Sequence, residues 1–243
     1  MYFEPLKIEL TLSTPIVMPY RKQAHPLHFD ALIIALMTEG QKPDVPVTGT
    51  KWDEDPYAPG TGIVPLKVYQ GASPVYYASV GFAENIIWRE TSIIKKPPEP
   101  HLWQHIIATS KEKITFKING DSTGVYRAWS ETADIAVIQK LNFECVGDGE
   151  IIDELLHKNL RRIGFLRRLG FGNISNVSVT GSDNDHAGLI TQAGYPARNL
   201  PVVDWQGQTD WLKINAAVRA PYWYPGNKEV CWSPMSDYPI PCF

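Results

Sequence analysis

Leu6, Ile8, Leu10 and Leu12 alternate with Lys7, Glu9 and Thr11. A period of two places the four apolar residues on one face and predicts a half-buried strand over 6–12, which Pro15 and Pro19 terminate. The pattern then changes. After His28-Phe29-Asp30 comes the apolar run Ala31 to Met37, closed by Gly40. Asp30 is placed to cap a first turn, so a helix over 29–39 is expected to pack on the sheet of the first strand. Residues 41–62 are polar and rich in Pro, Gly and Asp, and read as a loop. Alternation returns over 63–70 and 74–82, separated by Gly71-Ala72-Ser73-Pro74, which is a hairpin pattern.

Residues 85–125 break the rhythm. A Pro-rich basic start, the cluster His101, Trp103 and His105, the strand-like stretch 113–118 and the turn Asn119-Gly120 describe an extended insertion carrying a hairpin. A strand follows over 141–146. Gly147-Asp148-Gly149 then turns the chain into a helix over 150–162, whose stripe is Ile151, Ile152, Leu155, Leu156 and Leu160. A glycine-rich segment leads to a last strand over 174–181. Strand, helix, strand pair, insertion, strand, helix and strand form the βαββαβ order of a ferredoxin-like (RRM-like) α+β unit. The expected organisation is such a domain over 1–182, with a thumb-like insertion at about 85–128. A small aromatic-rich extension over 183–243, holding Trp205, Trp211, Trp223 and Trp232, packs on it.

Composition narrows the classes. With 44% hydrophobic and 20% charged residues, the chain of 243 residues can bury a core and is not disordered overall. The longest apolar run is far below the roughly 20 residues that span a bilayer. The acidic, alternating N-terminus is unlike a signal peptide, so a cytoplasmic protein without membrane contact is expected. Cys145, Cys231 and Cys242 lack the paired spacing of a disulfide framework or a zinc site and read as buried or incidental thiols; no cofactor or metal is implied. The acidic patch Asp53-Glu54-Asp55 belongs to a solvated loop and suggests no hydrolase role.

One stretch stands against the net charge of −3: residues 155–182 hold Lys158, Arg161, Arg162, Arg167 and Arg168 and no acid. Four of these cations sit beside Gly164, Gly170 and Gly172. Glycine lets backbone N–H groups approach a phosphate, and arginine supplies forked donors that match its oxygens. The combination suits a phosphate backbone. The plainer alternative is a solvated helix face followed by glycine turns. Neither a dinucleotide fingerprint nor a P-loop is present.

A ferredoxin-like unit whose second helix runs into Gly164-Phe165-Leu166-Arg167-Arg168-Leu169-Gly170-Phe171-Gly172 and then the last strand resembles the RAMP superfamily of CRISPR-associated proteins. Residues 143–174 are most similar to the type IV effector subunit of the Cas-five type, the Csf-three family. Residues 25–37, 194–202 and 220–234 resemble that family's first-helix signature and C-terminal part. Phe29 stands where the family pattern has Leu, and the 85–128 insertion has no counterpart in it.

The resemblance implies a non-catalytic RNA-binding subunit of a type IV ribonucleoprotein. Such a subunit holds the 5′ handle of the guide RNA and caps the filament of backbone subunits. It contacts the large subunit near the place where target DNA enters. It also carries over Arg161, Arg162, Gly164, Arg167, Arg168, Gly170 and Gly172 as candidate RNA-backbone contacts. Lys95, Lys96, Trp103, His105 and Lys111 of the insertion, a mobile arm by composition, are further candidates. Phe165, Phe171 and Trp103 could stack bases or belong to the core.

Some RAMP proteins cut guide precursors with a general acid or base. A metal-independent endoribonuclease is therefore the alternative, with His28 as its positional candidate against a role in packing or capping. A third reading is an interaction protein whose basic patch meets an acidic partner.

Overall fold

The structure, a computed structural model, describes residues 1–18, 25–38, 63–83, 86–95, 129–164, 167–222, 224–234 and 241–242. It is a mixed α+β protein built on antiparallel sheets, with two α-helices among the described residues. The central sheet has the order β8-β1-β9, formed by β1 (Glu4–Leu12), β8 (Lys140–Gly147) and β9 (Ile174–Gly181). β1 lies in the middle and is antiparallel to both neighbours: Ile8 faces Phe143 on one side and Val179 on the other. Leu6, Ile8, Leu10 and Leu12 are buried, as the alternation requires. On the opposite face Glu9 pairs with Lys140 at 2.8 Å.

Two helices cover the apolar face. Helix α1 (Phe29–Thr38) buries Phe29, Leu32, Ile33 and Leu36, and the Phe29 ring lies 5.1 Å from that of Phe143. Helix α2 (Gly149–Asn159) is capped by Asp148, whose carboxylate accepts from the Ile151 N–H. Its buried stripe is Ile152 and Leu156, while Ile151 is 41% exposed. The helix ends three residues earlier than its composition predicts. Leu160 is extended, and residues 161–163 leave the helical path to pair with 172–174. A backbone ladder there replaces the last helical turn.

The expected hairpin over 63–82 forms in a shorter version. Strands β4 (Val68–Tyr69) and β5 (Val75–Tyr76) pair around the turn, but residues 77–82 then leave and run beside β8. Ser79 donates to the Glu144 carbonyl and Asn142 to the Phe82 carbonyl. One stretch thus serves two partners, which limits the length of the hairpin.

Of the insertion, residues 86–95 are described, all but the first of them in one strand. This strand, β6 (Ile87–Lys95), pairs along its length with β7 (Trp129–Val137); β2 (Ile16–Met18) adds a third strand to β7. The 113–118 stretch, the Asn119-Gly120 turn, the 41–62 loop and its acidic patch lie outside the described residues. Strand β3 (His25–Pro26) pairs with the C-terminal residues Pro241–Cys242.

A second core lies beyond residue 182. Its sheet has a middle strand at Lys228–Trp232, flanked by Leu200–Pro201 and by Lys213–Ala217. Leu189, Leu200, Trp211, Val218, Cys231 and Trp232 are buried together. Trp211 meets Trp232 edge-on at 5.8 Å, and the Trp232 indole donates to the Trp205 carbonyl. The hairpin connects the two cores: Tyr76 packs into the first and Val75 into the second.

Candidate nucleic-acid interface

Residues 161–164 and 167–174 flank the C-terminal end of β1. The base of this loop is a short ladder in which Ile163 donates to the Gly172 carbonyl and Ile174 to that of Arg161, at 2.9 and 3.1 Å. The segment after β1 holds the loop from the other side. Gly172 donates to the Pro15 carbonyl, Ser13 to that of Asn173, and the Thr14 hydroxyl to that of Gly170. Thr14 Oγ1 in turn accepts from the Asn173 N–H at 2.8 Å. A 3₁₀ turn, Arg167–Leu169, makes the tip.

The three glycines have different reasons to be there. All have positive φ, a region L side chains rarely adopt. A Cβ on Gly172 would collide with the Ile163 carbonyl, and one on Gly164 would stand 2.7 Å from Ile16 Cγ2. Those two allow close packing of the loop onto its supports. At Gly170 a Cβ would meet nothing within 4 Å, so that side of the residue faces open space, while its N–H donates to the Arg167 carbonyl and its own carbonyl accepts from Thr14.

The cations also divide. Arg162 is a brace: its Nε donates to Asn173 Oδ1 at 2.7 Å and Nη1 to the Arg167 carbonyl at 2.8 Å. The side chains of Arg161 and Arg167 are exposed, and their guanidinium groups engage no hydrogen bond or ion pair among the described residues. Arg168 lies on the tip turn, and Lys95 ends β6. Phe171 is half-buried. Lys96, Trp103, His105, Lys111 and Phe165 lie outside the described residues. The loop therefore presents the exposed guanidinium groups of Arg161 and Arg167 in a region built by two segments, 13–18 and 155–182, that contain no acid.

A fifth arginine, not among the residues the sequence singles out, is buried. Arg198 is 0% exposed and spans the two cores. It donates to the carbonyls of Tyr76, Ala78 (3.2 Å) and Val218 (2.6 Å), to the Tyr222 hydroxyl at 2.8 Å, and to Asp30 Oδ2 at 3.3 Å. The Tyr222 hydroxyl donates to Asp30 in turn, at 2.9 Å. Asp30 is thus not the exposed helix cap its position suggested. It lies inside α1, fully buried, as the counter-ion of a residue 168 positions away. Burial opposes the Arg198 charge, but Tyr222 and Asp30 outweigh it and hold the guanidinium protonated. Burial also drives the Tyr222 phenol well above its ordinary range.

His28 belongs to this cluster. It is 1% exposed, and its ring stacks on Tyr222 at 3.9 Å and 11°. The clue to the cluster was Arg198 itself, a lone charge between Ala197 and Leu200 in an apolar stretch. Such a residue requires a buried partner.

Cys145 and Cys231 are buried free thiols. Burial pushes Cys145 up strongly and Cys231 to about 11. No cluster of metal-ligating side chains occurs among the described residues.

The family model of the CRISPR type IV associated protein Csf3 matches residues 4–235, from the first strand through the second core. The chain belongs to the Csf3 family. It is therefore a type IV CRISPR-associated protein, and the Csf3 match takes in both the glycine loop and the buried Asp30–Arg198–Tyr222 cluster. No curated protein matches the chain. Among the described residues, no helix of this Csf3 protein is long and apolar enough to cross a membrane.

Proposed function

We propose that this Csf3 protein is the RNA-binding subunit of a type IV effector complex and holds the 5′ handle of the guide RNA through the 161–174 loop. The carrying observation is the pair of exposed guanidinium groups of Arg161 and Arg167, on segments without an acid. A phosphate strand meets donors there and no repulsion. The sheet order, with 77–82 beside β8, β1 central and β9 at the other edge, supports a ferredoxin-like reading of residues 1–182 as a RAMP domain. The insertion and the 183–243 extension are additions to that domain. In this reading the subunit caps the filament, adjoins its backbone and large subunits, works in the cytoplasm and lies near the target DNA.

The role is binding without catalysis. His28, the positional candidate for a general base, is enclosed against Tyr222 and has no route to a ribose 2′-hydroxyl.

Two measurements test this reading. Fluorescence anisotropy should show tighter binding of guide RNA with its cognate 5′ handle than of RNA with a scrambled handle. Arg161→Ala with Arg167→Ala should reduce the salt slope by about 0.7 for each lost contact. An unchanged slope removes the loop from the interface. In the second measurement, precursor RNA incubated with the protein in EDTA should remain intact. A specific cut that His28→Ala abolishes would replace the binder with an endoribonuclease.

A further inference from the structure

The tip of the arginine loop carries an apolar side chain in water. Leu169 ends the 3₁₀ turn and is 60% exposed, beside cations. A lone exposed leucine on a loose loop is ordinary. This tip is braced. The Arg167 carbonyl accepts from Arg162 Nη1 at 2.8 Å and from the Gly170 N–H at 3.1 Å. On the other side of Leu169, the Gly170 carbonyl accepts from the Thr14 hydroxyl at 2.9 Å. Asn173 ties the two braces together, because its side chain accepts from Arg162 Nε and its N–H donates to Thr14 Oγ1. The backbone is thus pinned on both flanks of Leu169, and the side chain is held outward.

Its neighbours say what such a tip can hold. Arg167 is exposed two positions earlier, Arg161 is exposed at the loop base, and segments 13–18 and 155–182 contain no acid. A site for phosphate alone gains nothing from a pinned leucine. A nucleotide offers both chemistries in one unit, an anionic phosphate and the apolar face of a base. A 3₁₀ turn rises about 2 Å per residue, so the guanidinium and the leucyl group leave the tip close together. We propose that Leu169 packs on the face of an unstacked guide-RNA base while Arg161 and Arg167 hold the adjoining phosphates. This deepens the RNA-binding reading and rests on it. The strand bound here is then single: in a duplex both faces of an internal base are covered by stacking, and freeing one costs unstacking energy.

The probe is the cognate 5′ handle as an RNA oligonucleotide with 2-aminopurine at one position at a time. Full-length protein should brighten one position, where the base leaves its stacked neighbours for an aliphatic side chain. Leu169→Ser should abolish that rise and weaken the handle by about tenfold, with no change in melting. Leu169→Met should retain both. The salt slope should be unmoved in Leu169→Ser, because no phosphate contact is lost, whereas Arg161→Ala with Arg167→Ala lowers it. With an abasic site at the responding position, wild type and Leu169→Ser should bind alike. The handle annealed to its complement should bind more weakly than the single strand.

Wild-type affinity in Leu169→Ser, no position that brightens, or equal binding of the annealed handle would overturn the proposal and leave the arginine contacts in place. An unchanged salt slope in the double arginine variant would remove the loop from the RNA site, and the proposal with it. Self-association of the free protein that Leu169→Ser abolishes, with RNA affinity unchanged, would make Leu169 a contact between copies and would also overturn it.

Discussion

Arg198 and Arg167 are the same side chain in opposite settings. Arg198 is sealed between two cores, and its donors meet three backbone carbonyls, a phenol and a carboxylate. Arg167 sits on a 3₁₀ tip with its side chain exposed. A guanidinium whose two terminal nitrogens are already taken fixes architecture, and one whose donors are free can recognise a ligand. The sequence separates the two cases only through their neighbours: Arg198 is a lone charge in an apolar stretch, and Arg167 lies among other cations. The paired arginines drew attention because they repeat, whereas the isolated one holds the C-terminal part of the chain onto α1 and the hairpin.

The largest effect should come from Arg198→Met. It leaves Asp30 charged and buried without its counter-ion, a loss of about 3–5 kcal/mol. Urea denaturation should show it, and adding Asp30→Leu should recover most of the loss. Arg167→Ala should stay within about 0.5 kcal/mol of the wild type in the same experiment. Equal stability of Arg198→Met and Arg167→Ala would abolish the contrast.

Gly172→Ala comes next. It combines a strained φ, about 1 kcal/mol, with a collision against the Ile163 carbonyl. Gly170→Ala should cost only the first of these. Melting curves of the two variants should therefore separate, and coincident curves would mean that the loop base can open.

Tyr222→Phe removes the hydroxyl that bridges Asp30 and Arg198, and should cost about 2 kcal/mol. Its RNA affinity should match the wild type at temperatures where both are folded.

The smallest effect concerns pH. The folded protein holds protons on Cys145, Cys231 and Tyr222 more firmly than the unfolded chain does. The native state therefore binds more protons in alkali, and stability must fall as pH rises. For Cys231 the fall runs from its ordinary 9.0 to about 11, and Cys145 adds to it from the same ordinary value. Tyr222 adds to it above its ordinary 10.0. Urea midpoints measured across pH 9–11 should decline, and Cys231→Ala should make the decline shallower. A flat profile would mean that water reaches all three groups.

The elements visible in the sequence are those whose burial is one-sided. β1, α1, α2 and β9 each show one apolar face, and period alone locates them. β7 alternates Trp129, Ala133, Ile135 and Val137 with Ser130, Thr132 and Asp134, but Glu131 interrupts its apolar face and hides the strand. Asp30 was misread for a different reason. An acid in the first turn of a helix has the same local pattern whether it caps the helix or pairs with an arginine 168 residues away. The arginine loop was legible as charge and glycine. Its division into packing glycines and an open one was not, because the Ile163 carbonyl and Ile16 that impose it are set by tertiary contact.

The central position of β1 also has a consequence for synthesis. Its partners are β8 and β9, so Glu4 must wait for Gly147, and Leu6 for Gly181. At about 5–20 residues per second, the first strand leaves the ribosome on the order of ten seconds before anything can pair with it. During that interval Leu6, Ile8, Leu10 and Leu12 form an open, sticky edge. Such high contact order predicts slow folding and a nascent chain that depends on chaperones to reach the state in which its arginine loop can close.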